Sequence, residues 1–163
     1  MARRDGTGTP AIAALVAAGA AHTLHPYPHD PRSSAFGDEA VAALGLDPRH
    51  VFKTLIARVG PAGGLVCAVL PVADRLDLKA FAAAAGGKRA ELADPAAAQR
   101  SSGYVVGGIS PLGQRHPLPT IIDDSARAWP TIFVSAGRRG LQVELAPTDL
   151  AALTDARWAA IAR

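Results

Sequence analysis

Cysteine is almost missing from this chain. Cys67 stands alone among 163 residues, so no internal disulfide can form. Its setting, GGLVCAVLPV, reads as a buried strand, where a thiol is an inert core group rather than a nucleophile. Aromatic residues make up only 5% of the chain, too few for a long base-stacking platform. No stretch approaches the roughly 18 uninterrupted apolar residues of a membrane span. The start, MARRDGTGTP, has no apolar core after its arginines, so no membrane partner and a cytoplasmic location are expected. Lysine is scarce as well. Of 17 basic residues, only Lys53, Lys79 and Lys88 are lysine.

What remains is a globular composition, 49% hydrophobic and 19% charged, and the length suits one domain with one sizeable core. A formal net charge of +3 permits a polyanionic partner without requiring one. Residues 1–9 read as a flexible tail and 10–163 as a single domain.

Punctuation along the chain gives the elements. PAIAALVAAGA opens with a first-turn proline and closes at Gly19, as a short helix does. HTLHPYPHDPRSSAF reads as a short strand running into a proline-rich loop. FGDEAVAALGLDP predicts a second helix ended by Gly45. HVFKTLIARV and GLVCAVLPV predict two strands joined across the turn GPAGG. Asp77 and Asp94 are N-cap candidates for helices over LKAFAAAA and from Pro95 to about Arg100. TIID, TIFVSA and LQVEL are short strands, and APTDLAALTDARWAAIA predicts one or two terminal helices beginning at Pro147 or Thr148. Strands at hairpin distances argue for an α+β domain with a mixed, mostly antiparallel sheet, barrel-like at this strand number, with flanking helices.

Several constellations are open to more than one reading. Lys53, inside the apolar run RHVFKTLIARV, either lies on the wet face of an amphipathic strand or serves as a compact cation for an oxygen ligand. SSGYVVGGISPLGQRHPLPTIID, residues 101–123, is either a structural crossover or a glycine-rich ligand loop. Its spacing fits no nucleotide-binding glycine pattern. VSAGRRG, residues 134–140, is either a ligand-contacting strand end at Ser135 or a hairpin turn with two solvated arginines. His22, His25 and His29 match no zinc spacing, and no metal is expected. No G-x-S-x-G elbow supports a Ser-His-Asp triad, and a chain this short rarely builds a pyridoxal pocket for a Schiff-base lysine.

The segments HPYPHDP with FGDE, VFKTL, LPVADRLDLKAFAAAAGGKR, GYVVGGISPLGQ, TIFVSAGRRGLQVEL and DLAALTDARWAAIAR together resemble the YbaK/EbsC family. The likeness runs from about His22 to the C-terminus, in order. It implies the fold of the editing domain of bacterial prolyl-tRNA synthetases. It also implies a trans-editing aminoacyl-tRNA deacylase that clears Cys-tRNA(Pro), with Cys-tRNA(Cys) a second candidate, alongside prolyl-tRNA synthetase and without a cofactor. Cysteine and proline are similar in volume, so shape alone rejects cysteine poorly and a second site must remove the error. In this family the substrate's own thiol attacks its ester, leaving the protein to orient and to stabilise charge.

By resemblance, Lys53 matches the essential lysine that anchors the tRNA 3′ end, and Thr54 shapes the site. Gly108, with Gly107 before it, matches a glycine whose backbone meets the aminoacyl group. Ser135 matches a serine near the reacting centre, and Tyr27 and Phe36 match aromatic pocket residues. Gln142 stands where close members have aspartate, and an amide can neither act as base nor carry charge. Two rivals follow: an Ala-tRNA(Pro)-type deacylase on the same fold, or a non-catalytic module that binds tRNA or the synthetase.

Overall fold

The computed structural model describes residues 8–163. Residues 1–7 of the expected tail lie outside the described residues. Thr9 is already part of the fold, because its hydroxyl accepts from Ile12 N at 3.2 Å and donates to Ala136 O. That bond caps the first helix.

The elements in order are α1 (Pro10–Ala18), β1 (His22–Pro26), α2 (Phe36–Leu44), β2 (Phe52–Gly60), β3 (Gly64–Pro71), α3 (Leu78–Ala84), β4 (Arg89–Leu92), α4 (Pro95–Ser102), β5 (Thr120–Asp123), β6 (Ile132–Arg138), β7 (Leu141–Leu145), α5 (Pro147–Thr154) and β8 (Arg157–Ala159). The caps expected from sequence operate. Asp77 accepts from Ala80 N at 3.0 Å and Asp94 from Ala97 N at 2.9 Å. Gly19 and Gly45 end α1 and α2 in the left-handed region that only glycine enters freely.

One sheet has the order β1-β7-β6 and is antiparallel throughout; the other has the order β4-β2-β3-β5-β8. The second is antiparallel across β4, β2 and β3 and parallel across β3, β5 and β8. The sheets meet at one corner, where Val51 bridges Phe133 in parallel and Phe133 N donates to His50 O at 3.3 Å. The α+β architecture with a mixed, mostly antiparallel sheet is the expected one. Among the described residues the two sheets join only at that corner and do not close into a barrel.

Strand β2 divides the core. Phe52 and Ile56 face a large cluster with Leu15, Val134, Val143 and Leu150, while Ala57 and Val59 face a smaller one with Leu70, Phe81 and Ile161. Each fully buried large side chain contributes roughly 1.5–3 kcal/mol.

Two elements depart from the sequence reading. Residues 157–159, expected to be helical, form β8, parallel to β5. Asp155, with φ 52 and ψ 43, ends α5. The Asp123 carboxylate then accepts from Ile161 N and Ala162 N at 2.9 and 3.0 Å, and the Arg127 guanidinium sits 4.5 Å over the Trp158 ring. These long-range contacts override the helix propensity of an alanine-rich segment. Strand β4 was not expected at all, since its four residues RAEL carry too little pattern to read.

Candidate active site

A cavity of about 300 Å³ opens where the sheets meet. Its cause is a gap in pairing. Strand β4 covers β2 only from Ala57 to Gly60, with Ala93 N reaching Ile56 O at 2.9 Å. At the other end Val51 is taken by Phe133. The edge of β2 between these points is left open, and the start of α2, the β4–α4 connection, the glycine-rich loop and the first sheet wall the space around it.

Lys53 and Thr54 lie on opposite faces of β2, yet both line the cavity because it runs along the strand's edge. Lys53 is half-buried and its Nζ donates to Asp74 O at 2.6 Å. Burial holds its pKa below the usual lysine value; the Asp74 and Asp38 carboxylates oppose that shift, and Arg75 adds to it. The Thr54 hydroxyl is buried and has no hydrogen-bond partner among the described residues.

Across the cavity, Ser135 and Gln142 pair on β6 and β7, and Gln142 pairs with His25 on β1. The Ser135 hydroxyl accepts from Gly137 N at 3.2 Å, at a bulge where the register shifts between Ser135 and Arg138. Gln142 is buried, and its Oε1, like the Thr54 hydroxyl, has no partner among the described residues. A buried polar atom left unpaired costs about 1–3 kcal/mol, so two in one apolar cavity mark places where a ligand's donors fit.

The other expected residues fall at different depths. Phe36 begins α2 and lines the cavity, with the Arg139 guanidinium 4.7 Å from its ring. Arg139 Nε also donates to Val106 O at 2.8 Å, tying the two glycine loops together. Gly107 lines the cavity with φ +89; a Cβ there would stand 2.6 Å from the Phe36 ring. Gly108 lies behind this wall. Its N–H donates to Val105 O at 2.9 Å, and a Cβ would meet Arg138 Cα at 2.8 Å. Tyr27 is buried one layer back, its N–H donating to Gly140 O at 2.9 Å. Burial raises its phenol pKa, while hydrogen bonding with Gly140 and the Gln142 side chain opposes the rise. Gln142 is thus supported from behind by Tyr27.

The remaining candidates go elsewhere. Cys67 is fully buried and its thiol is pushed up to about 12 by desolvation. His22 bonds Ala20 O at 2.8 Å, His25 meets Glu144 at 3.0 Å, and His29 meets Glu39 at 2.6 Å, three separate partners. Among the described residues no three potential ligands gather for a metal, and no helix is long and apolar enough to cross a membrane. Sequence reasoning missed the apolar lining from Leu92 to Ala98 and the Asp74 carbonyl, for which no local signal exists. It also missed the network in which Glu144 accepts from Thr131 Oγ1 at 2.6 Å beside His25. The alternation of LQVEL places Glu144 on the same face as Gln142, and could have found it.

The aminoacyl-tRNA editing domain family matches residues 30–153. EbsC of Enterococcus faecalis, provisionally named a Cys-tRNA(Pro)/Cys-tRNA(Cys) deacylase, is 41% identical over 124 residues, covering 76% of this chain and 75% of the relative. Among solved structures, a protein described provisionally as a trans-editing enzyme for prolyl tRNA synthetase superposes with a TM-score of 0.84 at 25% identity, covering 99% of each chain. The hypothetical protein APE2540 shares the fold, with a TM-score of 0.83 at 24% identity over 95% of this chain and 100% of its own. By sequence over most of its length, and by fold, this chain belongs to the aminoacyl-tRNA editing domain family.

Proposed function

We propose that residues 10–163 form one trans-editing deacylase domain that clears Cys-tRNA(Pro) in concert with prolyl-tRNA synthetase. The observation that carries this reading is the pair of unpartnered buried oxygens, Thr54 Oγ1 and Gln142 Oε1, in an apolar cavity that also holds the half-buried cation Lys53. The cavity suits an aminoacyl group and part of its ribose, and leaves the rest of a tRNA outside.

The reaction needs no protein nucleophile. The substrate's sulfur bonds to its own ester carbonyl carbon and the C–O bond to the ribose breaks. The released electron pair stays on the ribose oxygen, which takes up the thiol's proton, giving a cyclic thiolactone and free tRNA. Holding sulfur and carbonyl at near-attack distance supplies several kcal/mol. Lys53 anchors the acceptor end through phosphate or ribose oxygen. Thr54 and Gln142 accept hydrogen bonds from the aminoacyl group, and Ser135 and the Gly107–Gly108 turn shape the wall beside it. Phe36 and, through Gln142, Tyr27 confine the substrate.

Deacylation of Cys-tRNA(Pro), Ala-tRNA(Pro) and Cys-tRNA(Pro) with a blocked thiol, each with and without prolyl-tRNA synthetase, tests the reading. The first should be cleared with release of thiolactone and the blocked substrate should survive. Equal clearance of the alanyl and blocked substrates would replace this mechanism with hydrolysis by water, and tight binding without turnover would make the chain a binding module.

A further inference from the structure

We propose that a second, basic depression docks the phosphate backbone where a tRNA's acceptor stem begins; this rests on the reading that the aminoacylated end occupies the main cavity. The depression measures about 280 Å³ and is lined by Arg58, Leu65, Ala97, Arg100, Ser101 and His116. Arg58, Arg100 and His116 are exposed, and so is the adjoining Arg115.

Its position follows from two shared elements. Thr54, Ile56 and Arg58 lie on one face of β2 by the two-residue period, the first two lining the cavity and the third the depression. Helix α4 lies between them, presenting Ala98 to one and Ala97 with Arg100 to the other. At ~3.3 Å per strand residue, Arg58 stands roughly 17 Å along the β2 axis from Lys53, which leaves the other face and reaches the cavity at the strand's open edge. A stacked strand rising ~3.4 Å per nucleotide covers that span in about five steps. Five steps from the terminal adenosine lead past the short unpaired end and into the first phosphates of the stem.

The cluster is also held in place. Arg115 N donates to Ser102 O at 2.9 Å and His116 N to Ser101 O at 3.0 Å, clamping this loop onto the end of α4. Arg115 packs over Gly103, where a Cβ would meet its own Cβ at 3.3 Å. Glu91 is set opposite Arg58 by the β2–β4 register, but the three guanidinium groups outweigh it. Arg100 lies in the last turn of α4 and offsets that helix's carbonyl end. Guanidinium forks match phosphate oxygens, and each phosphate neutralised adds to the salt dependence of binding.

The test compares wild type with Arg58→Gln/Arg100→Gln and with a control double variant, Arg32→Gln/Arg157→Gln, which removes the same charge elsewhere. Fluorescence anisotropy with an uncharged RNA hairpin ending in CCA, across a salt series, should show roughly tenfold weaker binding for the first variant. Its log–log salt slope should be about two smaller in magnitude, and the control should match wild type. Deacylation of a cysteinylated CCA trinucleotide, too short to reach the depression, should be unchanged. Wild-type hairpin affinity and slope in the first variant, or an equal loss in the control, would overturn the proposal. A wild-type protein that deacylates nothing would instead sink the proposed activity, since the hairpin comparison needs no turnover.

Discussion

Thr54 of β2 and Gln142 of β7 belong to different sheets, yet each buries an unpartnered side-chain oxygen against the same cavity. Removing such an atom relieves the folded protein of its desolvation cost. Thr54→Val is therefore expected to leave stability unchanged or raise it by about 1 kcal/mol, a Tm gain of roughly 2–4 °C, whereas Gln142→Leu also removes the hydrogen bond with the Tyr27 phenol and should be no more stable than wild type. Each should lower kcat/KM for Cys-tRNA(Pro) at least about tenfold, the loss of one ligand hydrogen bond. Calorimetry beside single-turnover deacylation checks the opposite signs. For Thr54→Val, a fall in both quantities would make that oxygen structural.

Lys53 carries a depressed pKa because burial disfavours its charge. Its ammonium is lost at a lower pH than the usual value of about 10.4. Activity that needs the cation should fall on the alkaline side below that value. The stability sign is the opposite of an ion-paired lysine. Between the lowered and the ordinary pKa the unfolded chain holds more protons, so the stability contribution of Lys53 rises with pH across that window. Lys53→Met should cut deacylation about a hundredfold or more while keeping the fold. At neutral pH it should be as stable as wild type or more so, with any gap closing above about pH 10. Tm against pH, with the kcat/KM profile, reads both.

Gly107 and Gly108 are adjacent but resist a methyl group for different reasons. At Gly107 the obstacles are φ +89 and the Phe36 ring; at Gly108 they are the backbone atoms of Arg138. Gly107→Ala should cost about 1–3 kcal/mol, and adding Phe36→Ala should cost less than the two single variants together because the clash disappears. Gly108→Ala should cost a similar ~1–3 kcal/mol with no recovery from that second change. Urea midpoints of the six proteins, wild type included, decide the matter.

Most of the fold was legible where local chemistry speaks. Prolines, glycines and aspartates mark the starts of α1, α3 and α4 and the ends of α1, α2 and α4, and the hairpin of β2 and β3 sits across GPAGG. Strand β8 was not legible, because RWAAIA favours a helix until Asp123 and Trp158 give it long-range partners. At the site, Lys53, Thr54, Phe36, Gly107, Ser135 and Gln142 come to one cavity. Tyr27 and Gly108 stand behind its wall, a depth that spacing along the chain does not encode.

By itself the sequence determined most helix boundaries, the mixed α+β class, the inertness of a lone apolar-flanked thiol and the residues that resemble an editing family. Those are consequences of backbone preference and short-range pattern. Only the tertiary structure decided that β4 stops short of Lys53, that β6 and β7 face the resulting gap, and that Thr54 Oγ1 and Gln142 Oε1 find no partner among the described residues. Each depends on which strands pair and how far, and pairing between residues dozens of positions apart is settled by the packing of the whole core.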